Sequence, residues 1–218
     1  MKILVSGFEP FGQDTENASG AVVQGLRGVE WDAGLEVVTS ILPVTWSDSA
    51  PALLRAIETH RPNAVLALGE AGGRAAVTPE RRARNVGHGR IPDNDGAPRP
   101  AAPLDQGPEF LNTRIDPALL VAAIRSVSVP AEVSDDAGAF LCNAVYRALL
   151  HETNLPGTFI HVPAVRTQGS ATVGRETDPD AASSSSSSSS STILTIDQLT
   201  DAVAASVKAV AELLRPAV

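Results

Sequence analysis

A single cysteine, Cys142, excludes any intrachain disulfide and suits a reducing compartment. No stretch comes near the ~20 apolar residues that a bilayer-spanning helix needs, so a transmembrane protein is not expected. The opening run Ile3-Leu4-Val5 is too short for a signal-peptide core and lacks a cleavage pattern, which leads to the expectation of a cytoplasmic protein. Basic residues are too few and too scattered for a patch: 17 Lys and Arg stand against 25 Asp and Glu, a formal net charge of -8. That balance argues against nucleic acid and anionic membrane as partners. Neither a GxGxxG turn nor a Walker loop occurs, and the His and Cys spacing offers no zinc motif, so no cofactor and no metal are expected. Aromatics make up only 4% of the chain, which draws attention to Phe8, Phe11 and Phe140 wherever they fall.

What is present reads as an α/β chain. Short apolar runs closed by Gly or Pro (Ile3 to Val5, Leu35 to Leu42, Ala64 to Leu68, Thr158 to Val162) read as strands. Helical periodicity occupies Ser47 to His60, Pro117 to Val127, Gly138 to His151 and Ile196 to Leu214, the last with Thr195 as a capping candidate. Strands alternating with helices imply a mostly parallel sheet covered on both faces, within one domain spanning 1–218. Gly87 to Gly107, rich in Gly, Pro and Asp, is expected to be a long loop. Nine consecutive serines, Ser183 to Ser191, form a low-complexity tract that cannot join a packed core.

Four segments carry candidate chemistry. Gly7-Phe8-Glu9-Pro10-Phe11-Gly12 follows the first strand, where a doubly wound sheet binds ligands; its two phenylalanines form a pocket wall or simply pack beneath the loop. Glycines around Glu70 let backbone approach a ligand closely, while Glu80 either orients a histidine or is a solvated carboxylate paired with Arg81 or Arg84. Gly138 opens the stretch that places Cys142 in the first turns of a helix. There the partial positive charge of the helix start favours thiolate, and free N–H groups can hold an oxyanion. The competing reading is an inert buried thiol. His161, inside an apolar strand just before Pro163, is the best general base of four histidines, or else a buried histidine bonded to backbone.

Taken in order, GFEPFG, LGEAGGR with PERRARN, GRIPDNDG, SDDAGAFLCNAVY and FIHVP resemble the pyroglutamyl peptidase I (pyrrolidone-carboxylate peptidase) family over residues 1 to about 165. The resemblance implies a three-layer α/β/α sandwich, often assembled as a homotetramer or dimer. It implies Cys142 as nucleophile, His161 as base and Glu80 as the acid that orients it. It places Phe8, Phe11, Asn17, Glu70, Arg90 and Phe140 around the substrate, with Glu70 contributing through backbone and Arg90 beside the oxyanion. N-terminally pyroglutamylated peptides are the implied substrates. Two departures stand out. Members commonly carry Gln where Glu70 stands, and Pro in the middle of the segment that reads Asn17-Ala18-Ser19 here. These keep two further readings in view: a thiol amidase with a pocket altered through Glu70, and an inactive relative that binds a small molecule.

Overall fold

The computed structural model describes residues 1–166 and 194–215; the serine tract at 183–191 lies outside the described residues. A five-stranded sheet has the order β2-β1-β3-β9-β4. Its parallel strands are β1 (Lys2–Phe8), β2 (Glu36–Leu42), β3 (Ala64–Ala71) and β9 (Gly157–Pro163), and β4 (Thr78–Pro79) runs antiparallel at the edge. β1, β3 and β9 are buried almost throughout, which is why each reads as a continuous apolar run rather than an alternating one.

Successive side chains still part to opposite faces. Ile3, Val5, Leu66, Leu68, Ile160 and Val162 pack against α1 (Ala18–Gly25), α3 (Pro117–Ser126) and α5 (Ile196–Leu213). Leu4, Val65, Ala67 and Phe159 face α2 (Ser49–His60) and α4 (Leu141–Glu152). The result is the expected three-layer α/β/α sandwich with a mostly parallel sheet.

Two expectations are corrected. Gly87 to Gly107 is not a structureless loop, because β6 (Gly87–Gly89) pairs antiparallel with β7 (Arg99–Ala102). Side chains strap the rest of it down. Asp93 accepts hydrogen bonds from the Trp46, Asp95 and Ala97 N–H groups, and Asn94 donates to Glu9 and to the Pro10 carbonyl. A second small pair joins β5 (Arg82–Arg84) to β8 (Phe110–Asn112). The helix expected from Gly138 begins instead at Leu141, because Gly138 takes φ +77° and turns the chain just ahead of it.

The strand order places β2 on one side of β1 and β3 on the other. In such sheets the crevice at the carboxyl ends of the strands flanking that switch is the natural ligand site.

Candidate active site

A cavity of about 590 Å³ opens at this switch, lined by the carboxyl ends of β1, β3 and β9 and by the start of α4. Cys142 is the second residue of α4. Phe140, the residue before the helix, has no polar side chain with which to cap it, so the first-turn N–H groups stay available. Gly69 fixes the sulfur's position: a Cβ there would lie 2.7 Å from the Cys142 Sγ and 2.8 Å from the Phe159 ring. Gly69 is also the registered neighbour of His161 across the β3–β9 ladder, so thiol and imidazole stand side by side over adjacent strands.

His161, 5% exposed, places Nδ1 2.7 Å from Glu80 Oε1. Burial pushes the Glu80 carboxyl up, but its hydrogen bond to His161 and the charges of His161 and Arg74 outweigh that and hold it below the usual range. An ionised Glu80 can only accept, so Nδ1 carries the bonding proton and Nε2 is the ring nitrogen left to exchange one. The acid is itself held from several sides. Arg74 donates to Oε1 at 2.6 Å, the Glu80 N–H donates to the Phe159 carbonyl, and Tyr146 Oη donates to the Glu80 carbonyl. Glu80 is therefore fully buried rather than a solvated partner of its neighbouring arginines, and Arg81 pairs with Asp135 instead.

The thiol does not follow the sequence expectation. Burial pushes it up to about 12, with Arg74 pulling down and Glu80 and Glu70 pushing up further. The helix start favours thiolate, and desolvation of the sulfur opposes it.

Phe8, Phe11 and Phe140 line the cavity, with Phe11 stacked on Phe140 at 5.3 Å and Trp46 edge-on to Phe140 at 5.1 Å. Asn17 lines it too, but its side chain caps α1: Oδ1 accepts from Ser19 and Nδ2 donates to the Glu9 carbonyl. Glu70 is present, with its carboxylate committed to the Ala18 N–H and to Arg166. Arg90 is exposed and lies outside the lining, so the cation near the thiol is Arg74. Sequence reasoning missed both Arg74 and Arg166 as site residues. Arg74 lay within a quoted motif, and its need to compensate a buried Glu80 was the available signal. Arg166 had none, being 96 residues from its partner Glu70.

The family profile described as pyroglutamyl peptidase matches residues 1–208. A pyrrolidone-carboxylate peptidase from Enterobacter sp. (strain 638) is 43% identical over 177 residues, covering 79% of this chain and 82% of the relative. The crystal structure of pyroglutamyl peptidase I from Bacillus amyloliquefaciens superposes with a TM-score of 0.79 at 31% identity, covering 95% of this chain and 93% of that one. A mutant pyrrolidone carboxyl peptidase from Pyrococcus furiosus gives 0.82 at 27% identity, over 99% and 100%. The chain belongs to the pyroglutamyl peptidase family.

Proposed function

We propose that this chain is a cysteine omega peptidase that hydrolyses the bond after an N-terminal pyroglutamate, as its family and named relatives do. One observation carries the assignment of roles: a buried Glu80–His161 pair beside the Cys142 sulfur at a helix start. Cys142 Sγ attacks the pyroglutamyl carbonyl carbon while His161 Nε2 takes the thiol proton. The oxyanion is held by N–H groups of the α4 first turn. The C–N bond then breaks, the amine leaves with the proton from His161, and a thioester remains. Water, deprotonated by His161, attacks the thioester; pyroglutamate departs and the proton returns to Sγ. Glu80 keeps the tautomer throughout.

Substrate chemistry fits the walls. Pyroglutamate is a neutral lactam, so aromatic surfaces at Phe8, Phe11 and Phe140 cost it little desolvation. With the Glu70 carboxylate committed elsewhere, hydrogen bonds to the lactam fall to main chain at the strand ends. Asn17 contributes by holding α1 and the first loop in place. No role is assigned to Arg90. We take the chain as a single peptidase domain acting in the cytoplasm, which a free thiol nucleophile supports, and as a dimer or tetramer, which rests on the resemblance alone. No described helix is long and apolar enough to cross a membrane.

The test is release of a fluorescent amine from a pyroglutamyl amide. Iodoacetamide or Cys142→Ser should reduce kcat by roughly a thousandfold or more. Rapid turnover by Cys142→Ala would overturn the assignment. A panel of other aminoacyl amides tests the thiol-amidase reading, to which only the charged cluster around Glu70 lends support.

A further inference from the structure

We infer that Arg166 is a positioning residue for the lactam pocket: its guanidinium neutralises Glu70 and ties three wall segments into one. The inference rests on the peptidase reading. Arg166 Nη1 donates to Glu70 Oε2 at 2.7 Å and Nη2 to Glu70 Oε1 at 2.6 Å, a two-pronged pairing. Nη2 also donates to Asp14 Oδ2 at 2.7 Å. Glu70 Oε2 in turn accepts the Ala18 N–H at 2.6 Å, in the first turn of α1. All three side chains are nearly sealed, at 8% exposure for Arg166, 8% for Asp14 and 9% for Glu70. Through these bonds Arg166, just after β9, links the loop after β1 (Asp14), the end of β3 (Glu70) and the start of α1. Asp14, Asn17, Glu70 and Arg166 all line the cavity.

The physical case is one of charge. An unpaired carboxylate repels the carbonyl of an adjacent neutral lactam, and a sealed carboxylate without a cation is costly. Among the described residues Arg166 is the only cation that pairs with Glu70. Glu70 also acts on the nucleophile, since its negative charge pushes the Cys142 thiol up. Without the guanidinium, that wall would carry an uncompensated charge and lose its tie to the segment after β9. The end of β3 at Glu70, which lines the cavity, would lose its fixed position. The expected damage falls on lactam binding more than on the chemical step.

The experiment measures kcat and KM on the pyroglutamyl amide for wild type, Arg166→Met, Glu70→Gln and the double variant. It also measures protection of Cys142 from iodoacetamide by 2-pyrrolidone, a neutral lactam that is not turned over. Arg166→Met should raise KM by roughly tenfold or more and weaken protection in proportion. Adding Glu70→Gln removes the stranded charge while its amide oxygen still accepts the Ala18 N–H, so KM should return to within roughly threefold of wild type. A residue that merely fills space would not be rescued by a change of charge at Glu70. Arg166→Lys, which keeps the charge but not the fork, should fall between and serves if Arg166→Met does not fold. Unchanged KM and protection in Arg166→Met, or no rescue in the double variant, overturns the inference. A wild type that neither hydrolyses the amide nor is protected overturns the peptidase reading beneath it.

Discussion

Gly69 shows how much of the site depends on an atom that is missing by design. It lies where β3 passes directly under the nucleophile, and a methyl group there would meet Sγ at 2.7 Å and the Phe159 ring at 2.8 Å. Neither neighbour is the loose end of a flexible side chain. Gly69→Ala should therefore displace the sulfur from His161 and lower kcat/KM by roughly a hundredfold, since small misplacements of reacting atoms are expensive. The chain should remain folded, with a stability loss of about 1–3 kcal/mol. Activity on the pyroglutamyl amide and a thermal melt check both, and an active Gly69→Ala would contradict the placement of Sγ. Several of the candidate residues were legible one by one: a cysteine at a helix start, a histidine inside an apolar strand, phenylalanines in a Gly/Pro loop. Glu80 was not, because nothing local distinguishes a buried carboxylate from a solvated one beside arginines. Its burial is decided by contacts with Phe159, Tyr146 and His161, each more than 60 positions away. The thiol was misjudged for a similar reason. A helix start is visible in sequence, but the desolvation that lifts Cys142 to about 12 is not.

Among the elements, α5 follows most directly from its sequence. Thr195 Oγ accepts from the Gln198 N–H at 3.2 Å, and Gln198 Oε1 accepts from the Thr195 N–H at 2.9 Å, a reciprocal cap. From that start Leu199, Val203, Val207 and Val210 reach the sheet at helical spacing. Thr195→Ala should cost about 1 kcal/mol, read as a fall of roughly 2–4 °C in Tm, with catalysis untouched because α5 supplies nothing to the cavity. A loss of activity at unchanged stability would break that separation. α2, α3 and α4 were legible for the same reason as α5, through apolar periodicity. α1 was not: Ala18-Ser19-Gly20-Ala21 is too small and too glycine-rich to show a stripe. The small residues are there because α1 lies against the end of β1, where a Cβ on Gly20 would collide with the Phe8 carbonyl. The β6–β7 hairpin escaped notice because its order comes from Asp93, Asn94 and Asn85 bonding to distant main chain. Asn85 alone accepts from the Leu104 and Asp105 N–H groups and donates to the Asp105 and Gly107 carbonyls.

At the scale of the whole molecule, an acidic chain that buries several of its carboxylates has a stability set by pH from below. Asp105 is held under its ordinary value of 3.8 by its hydrogen bond to Arg147, against the opposing effect of burial. Glu80 is held under 4.5, burial opposing, by His161 and Arg74. A carboxyl whose folded pKa lies below its unfolded one releases its proton more readily when folded. Its contribution is therefore complete above the unfolded value and is lost as pH falls through the folded one. Urea midpoints should thus hold steady around neutrality and fall as pH drops below about 4.5. The two sites differ in what removal leaves behind. Arg147 is 1% exposed and gives both Nε and Nη2 to Asp105, so Asp105→Asn strands a buried guanidinium. That should cost about 3–5 kcal/mol at pH 7 and take the Asp105 share out of the acid slope. Glu80→Gln should also flatten the slope, but with near-complete loss of amide hydrolysis, since a carboxamide cannot hold the His161 tautomer or balance its charge. An Asp105→Asn variant that kept the wild-type slope would mean that acid destabilisation comes from elsewhere. One that lost activity at full stability would mean that the Arg147 cluster reaches the cavity, which its position on α4 beyond the lining residues argues against.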